Sequence, residues 1–186
     1  MTESRTFSQL VKEVGEWSER NFGDQDGLNE VAPFLGVVEE LLFELQNFPE
    51  GWPNLRSYHL IEFEDVIADS LIFLADFFYR YKYETSGLYL GTKYEGDMCQ
   101  EYLYKSVGIA ARSVLKRRQG IRDINDADVV KSLKDLFHCI CSYYQSSKPT
   151  SSPDIQDLVW STWEKVKKRD WKKNPENAHE VADAER

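Results

Sequence analysis

The sequence contains few residues that interrupt or cross-link a chain, with 10 glycines, 6 prolines and 3 cysteines among 186 residues. Cys99, Cys139 and Cys141 stand at no spacing typical of metal ligands, and so few cysteines favour free thiols in a reducing compartment. The first residues are polar and lack the apolar segment of a secretory signal. We therefore expect a cytoplasmic protein.

Long hydrophobic runs and an excess of positive charge are also missing. No apolar run approaches the roughly 18 to 20 residues that span a bilayer, and 23 basic side chains stand against 32 acidic ones. The net charge of −9 argues against a nucleic-acid polymer as partner, because phosphate binding needs a basic surface. Nucleotides stay compatible with this charge, since a divalent metal joins phosphates to acidic side chains. We expect no membrane partner.

No segment alternates as a strand does, whereas helical periodicity recurs along the whole chain. A first stripe with i, i+3, i+4, i+7 spacing contains Phe7, Leu10, Val11, Val14 and Trp17. Five further periodic segments lie near residues 33–46, 57–83, 97–116, 126–144 and 154–171. The sequence predicts an all-α bundle of about six helices, with the third helix at its centre, in a single domain of residues 1–172. A turn at 49–53, a long loop at 85–97 and a polar tail at 173–186 complete the prediction.

The second predicted helix carries three glutamates among apolar residues. At about 100° per residue, Glu40 and Glu44 lie about 40° apart on one face. Glu39 falls about 100° to the other side of Glu40 and is expected to point away from that face.

The third predicted helix carries Asp65, Asp69 and Asp76 within about 40° of one another. Asp69 has apolar neighbours on both sides, from Val66 to Leu74. Carboxylates in such surroundings are costly to desolvate unless a cation joins them, and hard oxygen donors suit Mg²⁺ or Mn²⁺. The alternative is that these acidic pairs lie on solvated helix faces.

Four segments together resemble a known family. They are Trp17-Ser-Glu-Arg-Asn-Phe-Gly23, Leu35-Gly-Val-Val-Glu-Glu-Leu41, the stretch from Asp65 to Asp76, and Trp163-Glu-Lys-Val-Lys-Lys-Arg-Asp-Trp171. In this order they resemble the MazG-like nucleoside triphosphate pyrophosphohydrolases of the all-α NTP pyrophosphatase superfamily. Glu39 and Glu40 match the opening of the family's Glu-Glu-x-x-Glu motif, Phe43 stands at its third glutamate, and Glu44 follows one position later.

The family's second motif, Glu-x-x-Asp, is matched at Asp69, with Val66 at its glutamate position and Asp65 just before it. The resemblance implies Mg²⁺-dependent hydrolysis of a nucleoside triphosphate to the monophosphate and pyrophosphate. It implies Glu40 and Asp69 as catalytic residues, and the expected metal ligands are Glu40, Glu44, Asp65 and Asp69, with Glu39 and Asp76 as further candidates. The alternative is a degenerate, non-catalytic module for dimerisation or nucleotide sensing, for which Phe43 and Val66 are the evidence.

Basic and aromatic residues supply the candidates for substrate binding: Trp17, Asn21, Lys168, Arg169 and Lys172. The cations are candidates for contacts with triphosphate oxygens, Trp17 for stacking on a base and Asn21 for reading a base edge. Each has a structural alternative, because cations complement the C-terminal end of a helix, aromatic residues fill cores, and Asn21 stands at a helix end.

Residues 97–145 resemble the acidic helix pair of residues 33–80. The alignment places Gly108 with Gly36, Ile109 with Val37, and Asp135 with Asp69. The sequence thus predicts either a degenerate internal repeat, which would make the chain a pseudo-dimer, or a homodimer. Chance similarity between amphipathic helices is the alternative.

Overall fold

The computed structural model describes residues 5–23, 31–47, 57–91, 99–121 and 124–173. Within these ranges the chain forms six α-helices and no strand, which confirms the all-α prediction. The helices are α1 (Phe7–Phe22), α2 (Ala32–Glu39), α3 (Ser57–Arg80), α4 (Gln100–Arg118), α5 (Asp126–Ser147) and α6 (Ile155–Val166). A π-helical turn at Glu40–Glu44 and a 3₁₀ turn at Leu45–Asn47 continue α2.

Helix α3 lies at the centre of the bundle, as its density of apolar residues predicted. It packs against α1, α2, α5 and α6, while α4 packs along α5. Its inner face is fully buried through residues such as Phe63, Ile67 and Leu71. Because α3 touches four other helices, its side chains are held at fixed positions relative to each of them.

Two glycines set the distance between α3 and its neighbours. A Cβ atom added to Gly15 of α1 would lie 1.9 Å from the ring of Tyr79, and one added to Gly36 of α2 would lie 2.6 Å from the ring of Phe73. Only a residue without a side chain lets these aromatic rings lie directly on the helix backbone. The acidic segment after Gly36 is therefore pressed onto α3.

Helix α6 ends at Val166, five residues before the predicted end at Trp171. Residues 167–173 continue as turns and irregular structure. Tertiary hydrogen bonds replace the helical ones here, because Trp17 Nε1 donates to the carbonyl of Arg169 (3.2 Å) and the Trp171 amide donates to Asn21 Oδ1 (2.8 Å). The basic run thus leaves the helix and crosses the end of α1.

The predicted turn at 49–53, residues 92–97 of the predicted loop, and residues 174–186 of the predicted tail lie outside the described residues. Among the helices that are described, none is long and apolar enough to cross a membrane.

The alignment of the two helix pairs is wrong in its first half. Val37 is fully buried, whereas Ile109, its predicted counterpart, is 51% exposed. Gly108 has no atom within 4 Å of an added Cβ and does not repeat the contact of Gly36. A shift of one residue restores the match, since it pairs buried Phe34, Val37 and Leu41 with buried Val107, Ala110 and Val114.

The second half of the alignment agrees with the burial pattern. Leu71, Leu74, Phe77 and Phe78 of α3 are buried, as are their counterparts Phe137, Ile140, Tyr143 and Tyr144 of α5. The internal duplication itself stays a prediction.

Candidate functional site

Acidic side chains from α2, its π-helical turn and α3 line one cavity of about 370 Å³. We name it the acidic cavity, and its lining residues are Glu39, Glu40, Glu44, Glu62, Asp65, Val66 and Asp69. All of the predicted metal ligands except Asp76 belong to it. Glu62 was absent from the predicted set, although it lies three residues before Asp65 and thus on the same face of α3.

The prediction that Glu39 points away from Glu40 and Glu44 is wrong, because the chain makes a π-helical turn at Glu40–Glu44. The amide of Leu45 donates to the carbonyl of Glu40, five residues back. A π-helical turn advances each residue by roughly 80° instead of 100°. Around the helix axis Glu44 then falls between Glu39 and Glu40, and the three glutamates share one face.

This turn also changes how the segment compares with the Glu-Glu-x-x-Glu motif that it resembles. In Glu-Glu-x-x-Glu on an ordinary α-helix, the third glutamate lies between the first two around the axis. Here one additional residue separates Glu40 from Glu44, and the wider turn takes up that residue. Phe43, at the position of the third glutamate, is 66% exposed.

Glu40 is the most strongly perturbed carboxyl group of the acidic cavity. Burial, together with the neighbouring carboxylates of Asp69, Glu39, Glu44 and Asp65, raises its pKa from 4.5 to about 8. The cavity therefore concentrates negative charge that water does not fully solvate.

Asp69 has a similar but smaller perturbation. Its pKa is raised from 3.8 to about 6, chiefly by burial and also by the neighbouring carboxylate of Asp65. Arg169 and Lys165 lower the pKa of Asp69, which places both cations near this carboxylate. Lys165 is a basic neighbour that the sequence analysis did not select.

The donor chemistry of the acidic cavity fits Mg²⁺. Among the described residues, no group of three or more acidic, histidine or cysteine side chains is arranged to hold a metal ion. Mg²⁺ typically takes one or two carboxylates and completes its shell with waters and substrate phosphates. An open arrangement of oxygen donors on two helices meets that requirement.

A second cavity, of about 280 Å³, adjoins the first. We name it the aromatic cavity, because four of its lining residues are Trp17, Phe22, Phe73 and Trp171. The other lining residues are Val14, Ile72, Val166, Glu40, Asp69, Asp76 and Arg169. Glu40 and Asp69 line both cavities, so the two join at these carboxylates.

Asp76 lies in the aromatic cavity and not among the residues of the acidic cavity, which does not favour it as a metal ligand. Its Oδ1 accepts a hydrogen bond from Arg80 Nε (3.0 Å), and its Oδ2 accepts one from Ser18 Oγ (2.8 Å). Arg80 Nη2 also donates to Ser18 Oγ. Burial raises the pKa of Asp76, while the Arg80 guanidinium and the hydrogen bonds oppose that shift.

Trp17 and Arg169 line the aromatic cavity, whereas Asn21 is not one of its lining residues. Asn21 donates to the carbonyl of Trp17 (3.0 Å) and accepts from the amide of Trp171, so it clamps the chain after α6 onto α1. Its amide is committed to this clamp, and Gly23, with φ of 84°, ends the helix. The Nε of Arg169 is buried and has no hydrogen-bond partner.

The side chains of Lys168 and Lys172 are exposed, and neither residue lines one of the two cavities. Their predicted role in phosphate binding therefore has less support than that of Arg169. Phe22 and Phe73 line the aromatic cavity although the sequence analysis did not select them. Their signal was weak, since both are aromatic residues within ordinary helical stripes.

Comparisons with protein-family models, with curated proteins and with solved structures find no match to this chain.

Proposed function

We propose that this protein is a Mg²⁺-dependent nucleoside triphosphate pyrophosphohydrolase, which releases a nucleoside monophosphate and pyrophosphate. The observation that carries the proposal is the junction of the two cavities at Glu40 and Asp69. The two parts of a nucleoside triphosphate match these two cavities. Its phosphates bind to carboxylates through a cation, as the acidic cavity would allow, and its base stacks on aromatic rings, which the aromatic cavity offers.

The carboxylates of the acidic cavity would hold the cation. Glu40, Glu44, Asp65 and Asp69 are the proposed ligands of Mg²⁺ or Mn²⁺, with Glu39 on the same wall. Such an ion would neutralise phosphate charge and stabilise the pyrophosphate leaving group.

The protein's own side chains orient the reactants and accept a proton. A water oxygen attacks the α-phosphorus as the bond from this phosphorus to the oxygen shared with the β-phosphate breaks, and pyrophosphate leaves with the electron pair. Glu40 lines both cavities, where the phosphates and the base would meet, and would act as the general base that takes the water's proton. Arg169 lies close enough to Asp69 to lower that residue's pKa and is placed to pair with phosphate oxygens.

The decisive test is the substitution Asp69→Asn, which keeps the volume and removes the charge. We expect release of pyrophosphate from a panel of nucleoside triphosphates with Mg²⁺ to fall by about 100-fold or more, since one oxyanion or metal contact is typically worth that much. The matched control is Asp135→Asn, an exposed aspartate of α5 that pairs with Lys131 at 2.8 Å. Equal rates for the Asp69 variant and the control would refute the assignment.

A non-catalytic nucleotide-binding module is the second candidate, and Val66 favours it. This residue is buried, 6% exposed, where the family has a glutamate. The two functions separate in a titration of Mg²⁺ or Mn²⁺ monitored by thermal unfolding, because a working site gains stability by mass action. If neither ion changed the melting temperature and the protein still bound nucleotide without them, the non-catalytic module would be favoured.

A further inference from the structure

The aromatic cavity contains a buried carboxylate whose orientation is fixed by two partners. Asp76 and Arg80 form an ion pair with side chains only 12% and 8% exposed. Ser18, from α1, holds the second carboxylate oxygen. Asp76 thereby presents a rigid edge among rings that offer no polar atoms except the indole N–H groups.

Each oxygen of this carboxylate still has acceptor capacity. An ionised carboxylate has about four lone-pair sites, and Arg80 and Ser18 occupy one on each oxygen. Asp76 is therefore satisfied within the protein and remains able to accept a hydrogen bond from a ligand in the aromatic cavity. It has no proton to donate while Arg80 keeps it ionised.

We propose that Asp76 determines base specificity, by selecting nucleotides whose base carries an exocyclic amino group over the corresponding oxo base. This inference rests on the proposed function for the identity of the ligand as a nucleoside triphosphate. An amino group donates to the carboxylate, as it does when aspartate reads the N4 group of cytosine. A carbonyl at the same ring position directs its lone pairs at the carboxylate, and burial makes that repulsion costly.

Two nucleoside pairs that differ in this group, and in the hydrogen on the ring nitrogen beside it, provide the test. Cytidine and uridine form one pair, and adenosine and inosine form the other. Binding is followed through intrinsic tryptophan fluorescence in the presence of EDTA, because Trp17 and Trp171 line the aromatic cavity. We expect the amino member of each pair to bind the wild-type protein at least tenfold more tightly. We expect Asp76→Asn, which adds a donor, to abolish or reverse this preference.

Equal or tighter binding of uridine and inosine by the wild-type protein would overturn the proposal, and so would the absence of any nucleoside binding. The wild-type comparison decides the question even if Asp76→Asn does not fold. A folded Asp76→Asn protein that keeps the tenfold preference would also overturn it, since the preference would then arise elsewhere. Discrimination without triphosphate hydrolysis would refute the proposed enzymatic function and leave the role of Asp76 intact.

Discussion

Glu40 lies on the wall that the two cavities share, and its carboxyl group links the site to the stability of the fold. In the folded protein this group holds its proton up to about pH 8, whereas an ordinary glutamate releases it near 4.5. Between these values the folded chain binds more protons than the unfolded chain, so the free energy of unfolding falls as the pH rises. Asp69 contributes with the same sign up to about pH 6.

We expect Glu40→Gln to flatten this dependence between about pH 7 and 8, because Asp69, with a pKa of about 6, is then largely ionised. The measurement is urea unfolding at several pH values without divalent cations, with the wild-type protein as reference. An unchanged slope in the glutamine variant would show that Glu40 titrates normally. Added Mg²⁺ should stabilise the wild-type protein more at pH 8 than at pH 6, because the deprotonated carboxylate is the ligand.

The close approach of α1 to α3 depends on Gly15, and a single methyl group should disturb it. A Cβ at this position would lie 1.9 Å from Tyr79 Cγ, close to the backbone of α3 where the ring has little freedom to move away. We expect Gly15→Ala to cost about 1 to 3 kcal/mol, because overpacking outweighs the gain in helix propensity of about 1 kcal/mol. The melting temperature would fall by about 2 to 4 °C for each kcal/mol.

The control for this prediction is Gly108→Ala in α4. No atom lies within 4 Å of a Cβ added there, so the helix propensity acts alone and the variant should melt at a higher temperature. Equal effects of the two alanines would contradict the tight packing at Gly15.

The π-helical turn makes an unusual prediction about a deletion. Removing Phe43, which is 66% exposed, takes out the residue that the turn accommodates and returns the segment to α-helical geometry. We expect the variant to fold, to melt at or above the temperature of the wild-type protein, and to keep its thermal response to Mg²⁺. The glutamate that follows would again lie between Glu39 and Glu40 around the axis.

Deletion of Ile109, 51% exposed on α4, is the matched control. In an ordinary α-helix one missing residue rotates everything beyond it by about 100°, which moves buried residues such as Val114 out of the core. That variant should unfold at a much lower temperature. If both deletions lowered the melting temperature equally, the idea that the π-helical turn accommodates one additional residue would be wrong.

The periodicity of the sequence was sufficient to predict the six helices, and it placed Glu40 with Glu44 on one face and Asp65 with Asp69 on another. That these two faces form one site was what the family resemblance implied. The periodicity failed for Glu39, because an angle of 100° per residue contains no information about a π-helical turn. That turn forms where α2 must fit against α3, which is a property of packing between distant segments.

The end of α6 was mispredicted for a related reason. The apolar spacing continues to Trp171, but the Trp17 indole and the Asn21 amide capture the backbone after Val166. In the proposed repeat, the alignment of Gly108 with Gly36 was wrong by one residue, as the pattern of buried side chains shows. Contacts between residues distant in sequence thus determined the end of α6 and the alignment of the helix pairs, which the local sequence pattern could not determine.

The contact between Trp17 and Arg169 joins residues that are 152 positions apart in the chain. A ribosome adds about 5 to 20 residues per second, so Arg169 is synthesised on the order of ten seconds or more after Trp17. Helices α2 and α3 are neighbours in sequence and pack together, and we expect them to form early, as contacts of short separation do. The nascent chain would therefore hold its acidic cavity before Arg169 and Trp171 complete the aromatic cavity beside it, and nucleotide binding would begin only after these residues are synthesised.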